Sequence, residues 1–208
     1  MKVVLALISA ALFLLGCVTP GPQQVAGSPA PVTAAGPRQV TLANPGFEAD
    51  PAPQYRCPPR WSCTVHNNPD AFRFTVDETR PAAGKRSMKV EPGTHKEPWA
   101  LTMQVLQDLS ALHGARVRLS IAVRLEGFEG KGVGPMAIAQ YPHGSNMGHW
   151  QTQATGTSDW KRVEVEFVVP KEAGLLEVGA IIEGSGKAWI DEARLEVLEP
   201  AASRKNPV

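Results

Sequence analysis

The chain reads as an all-β protein, an antiparallel β-sandwich, and three observations predict it. Apolar and polar residues alternate with a period of two in several short runs. Gly, Pro, Asn and Asp separate those runs at turn spacing. No long helical stretch intervenes between them. The clearest run is 115–125, where Val117, Leu119, Ile121, Val123 and Leu125 share one face and Arg116, Arg118, Ser120, Ala122 and Arg124 the other. In 161–169, Val163, Val165 and Phe167 oppose Arg162, Glu164 and Glu166. A final strand sets Ala193, Leu195 and Val197 against Glu192, Arg194 and Glu196. Further strands are expected at 38–43, 71–76, 85–91, 98–107, 133–141 and 175–183, with a weak helical period only at 101–112. The glycine-rich run 126–135 reads as a connection, and 141–159 as a longer polar loop with room for one short strand.

Composition agrees with that class. The chain has 208 residues, of which 43% are hydrophobic, so it can bury one core and is not wholesale disordered. Its 19 Gly and 19 Pro supply turns and argue against a mostly helical protein. Lys plus Arg number 21 against 20 Asp plus Glu, and that balance argues against a nucleic-acid partner, which needs surplus cations.

The ends read differently from the middle. Residues 1–16 carry Lys2, an apolar run from Val3 to Leu15 and Gly16, the pattern of a secretory signal peptide too short to span a bilayer comfortably. The end of that run, Leu14-Leu15-Gly16-Cys17, resembles the bacterial lipobox. The resemblance implies lipidation of Cys17 after cleavage; the alternative is an ordinary cleaved signal with a chance cysteine. Val18 in place of Asp resembles outer-membrane sorting, which puts the expected address in the cell envelope. Loss of Lys2 with the leader balances the charge at zero, so attachment to the membrane would rest on acyl chains, of which two or more are needed. Residues 17–37 read as a Pro/Gly/Ala tether, 38–199 as the sandwich and 200–208 as a loose tail. The two remaining cysteines, Cys57 and Cys63, flank a Pro-rich loop, and export makes a disulfide the expected state. A redox pair usually has two intervening residues rather than five, and zinc would want further Cys or spaced His.

Four segments in order carry a family resemblance: Asn44-Pro45-Gly46-Phe47-Glu48, Ala83-Gly84-Lys85-Arg86-Ser87-Met88-Lys89-Val90, Gly156-Thr157-Ser158-Asp159-Trp160, and Gly184 to Leu195 with Trp189-Ile190-Asp191 at its centre. Together they resemble the galactose-binding-like jelly rolls, especially carbohydrate-binding modules of the type attached to xylanases and glucanases. The resemblance spans about 40–200. It implies a jelly-roll sandwich and, as a cofactor, a structural calcium held by Glu48 and Asp191 with the carbonyls of Gly46 and Lys85 nearby. Asp191 shares parity with Ala193, Leu195 and Val197, so it is expected to point inward, where a bare charge is costly. The alternatives are that it caps a turn or pairs with an arginine.

Sugar-binding surfaces stack flat rings on a pyranose and place amides and charges at its hydroxyls. The aromatics here are Trp61, Trp99, Tyr141, Trp150, Trp160 and Trp189. Trp61, Trp160 and Trp189 lie in segments that read as structural. Trp99, Tyr141 and Trp150 lie in or beside loops, near Gln104, His143, Asn146, His149 and Gln151; Trp99, Gln104, Tyr141, His149 and Trp150 are the candidate ligand set. Arg116, Arg118 and Arg124 read first as a solvated or salt-bridged face. Gly-x-Ser-x-Gly does not occur, and Gly186-Lys187 lacks the rest of a phosphate loop. His143 and His149 match no common helical zinc spacing. The expected function is non-catalytic binding of a carbohydrate by a lipid-anchored envelope protein. The alternatives are an envelope protein-interaction or structural lipoprotein on the same scaffold, and a hydrolase of unrecognised type.

Overall fold

A computed structural model describes residues 36–51, 57–144 and 147–201. Its nine strands are β1 (Arg38–Val40), β2 (Ser62–Val65), β3 (Phe72–Asp77), β4 (Ser87–Pro92), β5 (Ala100–Leu106), β6 (Arg116–Gln140), β7 (Met147–Gln151), β8 (Ala154–Val168) and β9 (Leu175–Glu199). One 3-10 turn, Pro69–Ala71, precedes β3 and is capped by Asn68. All pairings are antiparallel. Cys17, the leader, most of the tether and most of the tail lie outside the described residues. Among those described, no helix is long and apolar enough to cross a membrane.

Two strands of 25 residues organise the sandwich. β6 and β9 run side by side along their whole length, and both bend at the same level. On one side of the bend the order is β8-β6-β9-β4-β3, with β1 continuing the line of β4 beside β9; this is sheet A. On the other side it is β7-β6-β9-β5-β2, sheet B. The bend is where 126–135 was expected to be a connection. The ladder persists through it because the glycines there reach backbone angles closed to other residues. Gly184 has φ 145°, and a Cβ on it would lie 1.9 Å from the Glu129 carbonyl oxygen. Likewise, the polar stretch 141–159 holds β7 and the start of β8.

The alternating faces meet between the sheets. Val117, Leu119 and Ile121 of β6 join Leu176, Val178 and Ile182 of one end of β9 and Leu195 and Val197 of the other in one buried cluster. Phe47 and Trp61 close its end at 5.0 Å between rings, and the Trp61 indole N–H donates to the Asn44 carbonyl at 2.9 Å. Cys57 and Cys63 are disulfide-bonded and pack on the same cluster.

Candidate functional site

Alternation on the strands of sheet B decides which side chains leave the core. Ala100, Thr102 and Gln104 of β5 turn inward, so Leu101, Met103 and Val105 turn outward. The register places Met103 and Met136 on either side of Gly179, Leu101 beside Ile181, and Ile138 between His149 and Glu177. The outer side of sheet B is therefore largely aliphatic, and Gly179 and Gly134 pack closely against the Thr102 and Thr152 carbonyls. Leu101, Met136 and Ile181 are buried there as a second cluster, against which Trp99, Met103 and Ile138 pack.

One end of this face is polar and ordered by charge. Glu183 of β9, 9% exposed, accepts from Lys131 Nζ at 2.9 Å and Gln153 Nε2 at 2.7 Å. Burial pushes its carboxyl up, but Lys131, Gln153 and Gln151 outweigh burial and hold it below the usual carboxylate value. Trp99 immediately precedes β5, one step beyond the Ala100–Ile182 pair, which sets it at the level of Glu183. His66 meets the Trp99 ring edge-on at 5.4 Å and is itself held by Glu97 at 3.0 Å. A cavity of about 680 Å³ adjoins this end, lined in part by Glu97, Pro98, Lys131, Glu183 and Ser185. At the opposite end Gln140 donates to Glu177 at 2.5 Å, and burial raises the Glu177 carboxyl.

The expected ligand residues divide between two sides. Trp99 and His149 lie on the open face. Gln104 lies on the inner side, where its amide makes a two-point clamp on Ala43: Oε1 accepts from the Ala43 N–H at 2.9 Å and Nε2 donates to its carbonyl at 2.5 Å. Trp150 turns inward as well and stacks on Phe167 at 4.6 Å. Tyr141 sits just past the end of β6, where its carbonyl accepts from Gly144. The structure thus does not gather Trp99, Tyr141 and Trp150 on one surface. Period-two parity makes the reason plain: Trp150 and His149 are neighbours, so β7 must send them to opposite sides. Sequence reasoning passed over Glu183, Lys131 and Gln153. Glu177 and Glu183, two carboxylates at one parity in an otherwise apolar strand, were the available signal.

The outer side of sheet A contrasts with this. Arg116 and Arg118 are paired with Glu166, and Arg116 also with Glu199. Arg124 pairs with Asp159. Trp189 lies beneath Arg80, Lys89 and Arg124, with Arg80 5.0 Å from the ring centre, and donates its N–H to Asp77 at 2.6 Å. No ring face is free on that side at Trp189, which is 2% exposed.

Glu48, Gly46 and Asp191 do converge, beside the 82–86 turn. Asp191 is fully buried at a bulge where Glu192 has φ 50°. Its carboxylate accepts from the N–H groups of Ala82 at 2.8 Å, Ala83 at 3.2 Å and Glu192 at 2.7 Å, so it caps the turn. Burial pushes it up to about 6 against the pull of those amides. Glu48 Oε1 accepts from Lys85 and Arg86 N–H at 2.9 and 3.2 Å. A Cβ on Gly84 would fall 2.1 Å from that oxygen, which explains the glycine. Two carboxylates beside the Gly46 backbone form an all-oxygen donor set that suits calcium in kind. Among the described residues no group of three or more His, Cys, Asp or Glu has metal-binding geometry.

Solved structures resemble this fold. The CBM22-1 xylan-binding domain of Paenibacillus barcinonensis Xyn10C matches with a TM-score of 0.57 at 16% identity, over 80% of this chain and 100% of that one. The C-terminal family 22 carbohydrate binding module of Clostridium thermocellum Xyn10B matches with 0.53 at 14%, over 76% and 93%. The enzymatically active domain of bacteriophage CBA120 tailspike protein 4 matches with 0.54 at 13%, over 74% of this chain and 21% of that one. Identities this low are a likeness of fold, and they place the chain among jelly-roll β-sandwiches. No protein-family model and no curated protein sequence matches the chain.

Proposed function

We propose that this is a non-catalytic carbohydrate-binding domain whose ligand lies along the open side of sheet B. The observation that carries the reading is the placement of Trp99 at the level of the Glu183–Lys131–Gln153 group, at one end of an aliphatic face. The ring supplies a flat apolar surface, and the buried carboxylate and the exposed ammonium paired with it offer an acceptor and donors to sugar hydroxyls. His149, Gln151 and Gln140 extend the polar rim along the face. Cleavage by a carboxylate pair is not favoured. Glu177 and Glu183 are six residues apart on one strand, about 20 Å, against the roughly 5–9.5 Å that glycoside hydrolysis needs. Glu97, Glu129 and Glu183 line the cavity, and Glu97 and Glu183 both sit below the usual carboxylate value, the wrong direction for a general acid. Retention in polysaccharide-containing native gels tests the reading: slowed migration of the wild type on at least one glycan, lost in Trp99→Ala, is the expected result. Unchanged migration on every glycan defeats it.

Two further features complete the proposal. Acylation at Cys17 would tether the domain to an envelope membrane, and mass spectrometry of the mature N-terminus shows the acyl chains or refutes them. Calcium, when bound, would be held by Glu48 and Asp191 with the Gly46 carbonyl and would fasten the 82–86 turn to β9. A melting midpoint raised by calcium and lowered by chelator is expected; identical midpoints count against it.

A second reading rests on the same face. Met103, Val105 and Ile138 are apolar on this face, and Val105 is 47% exposed, a surface suited to an apolar protein partner in the envelope. Retention by a partner but by no glycan would favour it.

A further inference from the structure

Among the described residues, no strand lies beyond β3 at its edge of sheet A. That strand pairs with β4 on one side only, and a groove of about 600 Å³ separates its other side from β2. We propose that β3 is a self-complementary edge through which two copies of this chain join their A sheets into one continuous sheet. The sequence Phe72-Arg73-Phe74-Thr75-Val76-Asp77 carries the inference. Phe72 and Phe74 lie in the core and Val76 shares their parity; Arg73 and Thr75 are exposed, and the half-buried Asp77 shares theirs. A twofold axis at Thr75 sets each Arg73 opposite the other copy's Asp77, and each Phe74 opposite the other copy's Val76. Both polar and apolar sides then match. A register shifted by one residue would oppose core-facing to solvent-facing side chains, and a shift by two would set Arg73 opposite Thr75.

Charge and exposure support this register. Arg73 is 63% exposed, and its own-chain partner, Glu91, is 3.8 Å away, so the guanidinium has room for a second carboxylate. Asp77 is oriented by Thr79 and by the Trp189 indole N–H. The edge also lacks the usual protections: 72–77 contains no proline and no inward-pointing charge. The opposite edge of the same sheet, β8, is instead dense in charge at Lys161, Arg162, Glu164 and Glu166. A six-residue strand pair is smaller than a standard interface of about 1,600 Å², so the dimer is weak and depends on concentration.

Sedimentation velocity on the mature chain, from a few micromolar to about 1 mM, tests it. The weight-average mass is expected to climb toward twice the monomer. Arg73→Glu, which would face the other copy's Asp77 as well as its own Glu91, is expected to raise the dissociation constant at least about tenfold, while Arg73→Lys dimerises nearly as the parent does. An unchanged melting midpoint for Arg73→Glu shows that the fold is kept. Monomer mass across the whole range overturns the proposal, as does an Arg73→Glu variant that dimerises as tightly as the parent.

Discussion

Truncation of Glu183 to alanine separates what this carboxylate does for the fold from what it does on the open face. In the fold it holds Lys131 and Gln153. Lys131 is 74% exposed, so its ammonium returns to water and that pair contributes about 0–1 kcal/mol. Gln153 Nε2 keeps a longer contact to the Gly132 carbonyl at 3.5 Å, so no donor is stranded. The hydrogen bond from Gln153 to a charged acceptor is worth about 1.5–3 kcal/mol, and the folding cost is therefore about 2 kcal/mol, which leaves the domain folded at 25 °C. On the face, a hydroxyl bonded to the same carboxylate loses a contact of the same class. Affinity should fall about 10- to 150-fold. Titration calorimetry at pH 7, with whichever oligosaccharide the gels identify, reads the change. Glu183→Gln keeps an acceptor without the charge and should fall between the wild type and alanine. If Glu183→Ala binds with the wild-type constant while Trp99→Ala does not, Glu183 is only a fold residue and the proposed polar end of the site is wrong.

Three more outcomes follow from the fold. The disulfide closes a loop with a sequence separation of 6; on loop-closure entropy, Cys57→Ser with Cys63→Ser should cost about 2 kcal/mol in denaturant melts, and no change in midpoint would mean that the Trp61 packing alone holds the loop. Gly184→Ala should cost more than about 3 kcal/mol, because the new Cβ meets the Glu129 carbonyl. Gly156→Ala, where φ is 82° but nothing lies within 4 Å, should cost only about 1–2 kcal/mol; equal losses would show that the bend tolerates a side chain. Burial raises the Glu177 carboxyl, so the folded state holds its proton more tightly than the unfolded chain. Its contribution to stability is therefore greatest at acid pH and declines as pH rises past the ordinary glutamate value. Relative to the wild type, Glu177→Gln should gain stability from pH 4 to pH 7, and a gain in the opposite direction would contradict the assignment.

Most of the sandwich was legible because period-two alternation is a local property, written residue by residue in 115–125, 161–169 and 192–197. The long strands were not. A glycine-rich stretch such as 126–135 looks like a loop in isolation, and only the partner glycines of β9 at the same level turn it into a bent ladder. That pairing is non-local and has no local signature. The oxygen cluster was legible through Asp191 and Glu48, since an acidic residue at a core parity demands donors, here the amides of Ala82, Ala83 and Glu192. The ligand set was only partly legible. Type and loop position selected Trp150 and Gln104, but the strand phase, which turns Trp150 onto Phe167 and Gln104 onto Ala43, depended on where β7 and β5 begin.

That phase also explains why one side of the sandwich is a candidate surface and the other is not. On sheet A the outward positions are long charged side chains, and antiparallel neighbours place Arg116 and Arg118 against Glu166, and Arg124 beside Asp159. These charges are answered within the sheet, and the cationic heads of Arg80, Lys89 and Arg124 lie over the Trp189 ring. A ligand there would have to displace an ion pair for each contact it gained. On sheet B the outward positions are mostly aliphatic between its two polar ends, and Trp99 with Glu183 stands at one of those ends. The side of the molecule that satisfies itself least is the side on which an added ring face or hydroxyl has the most to gain.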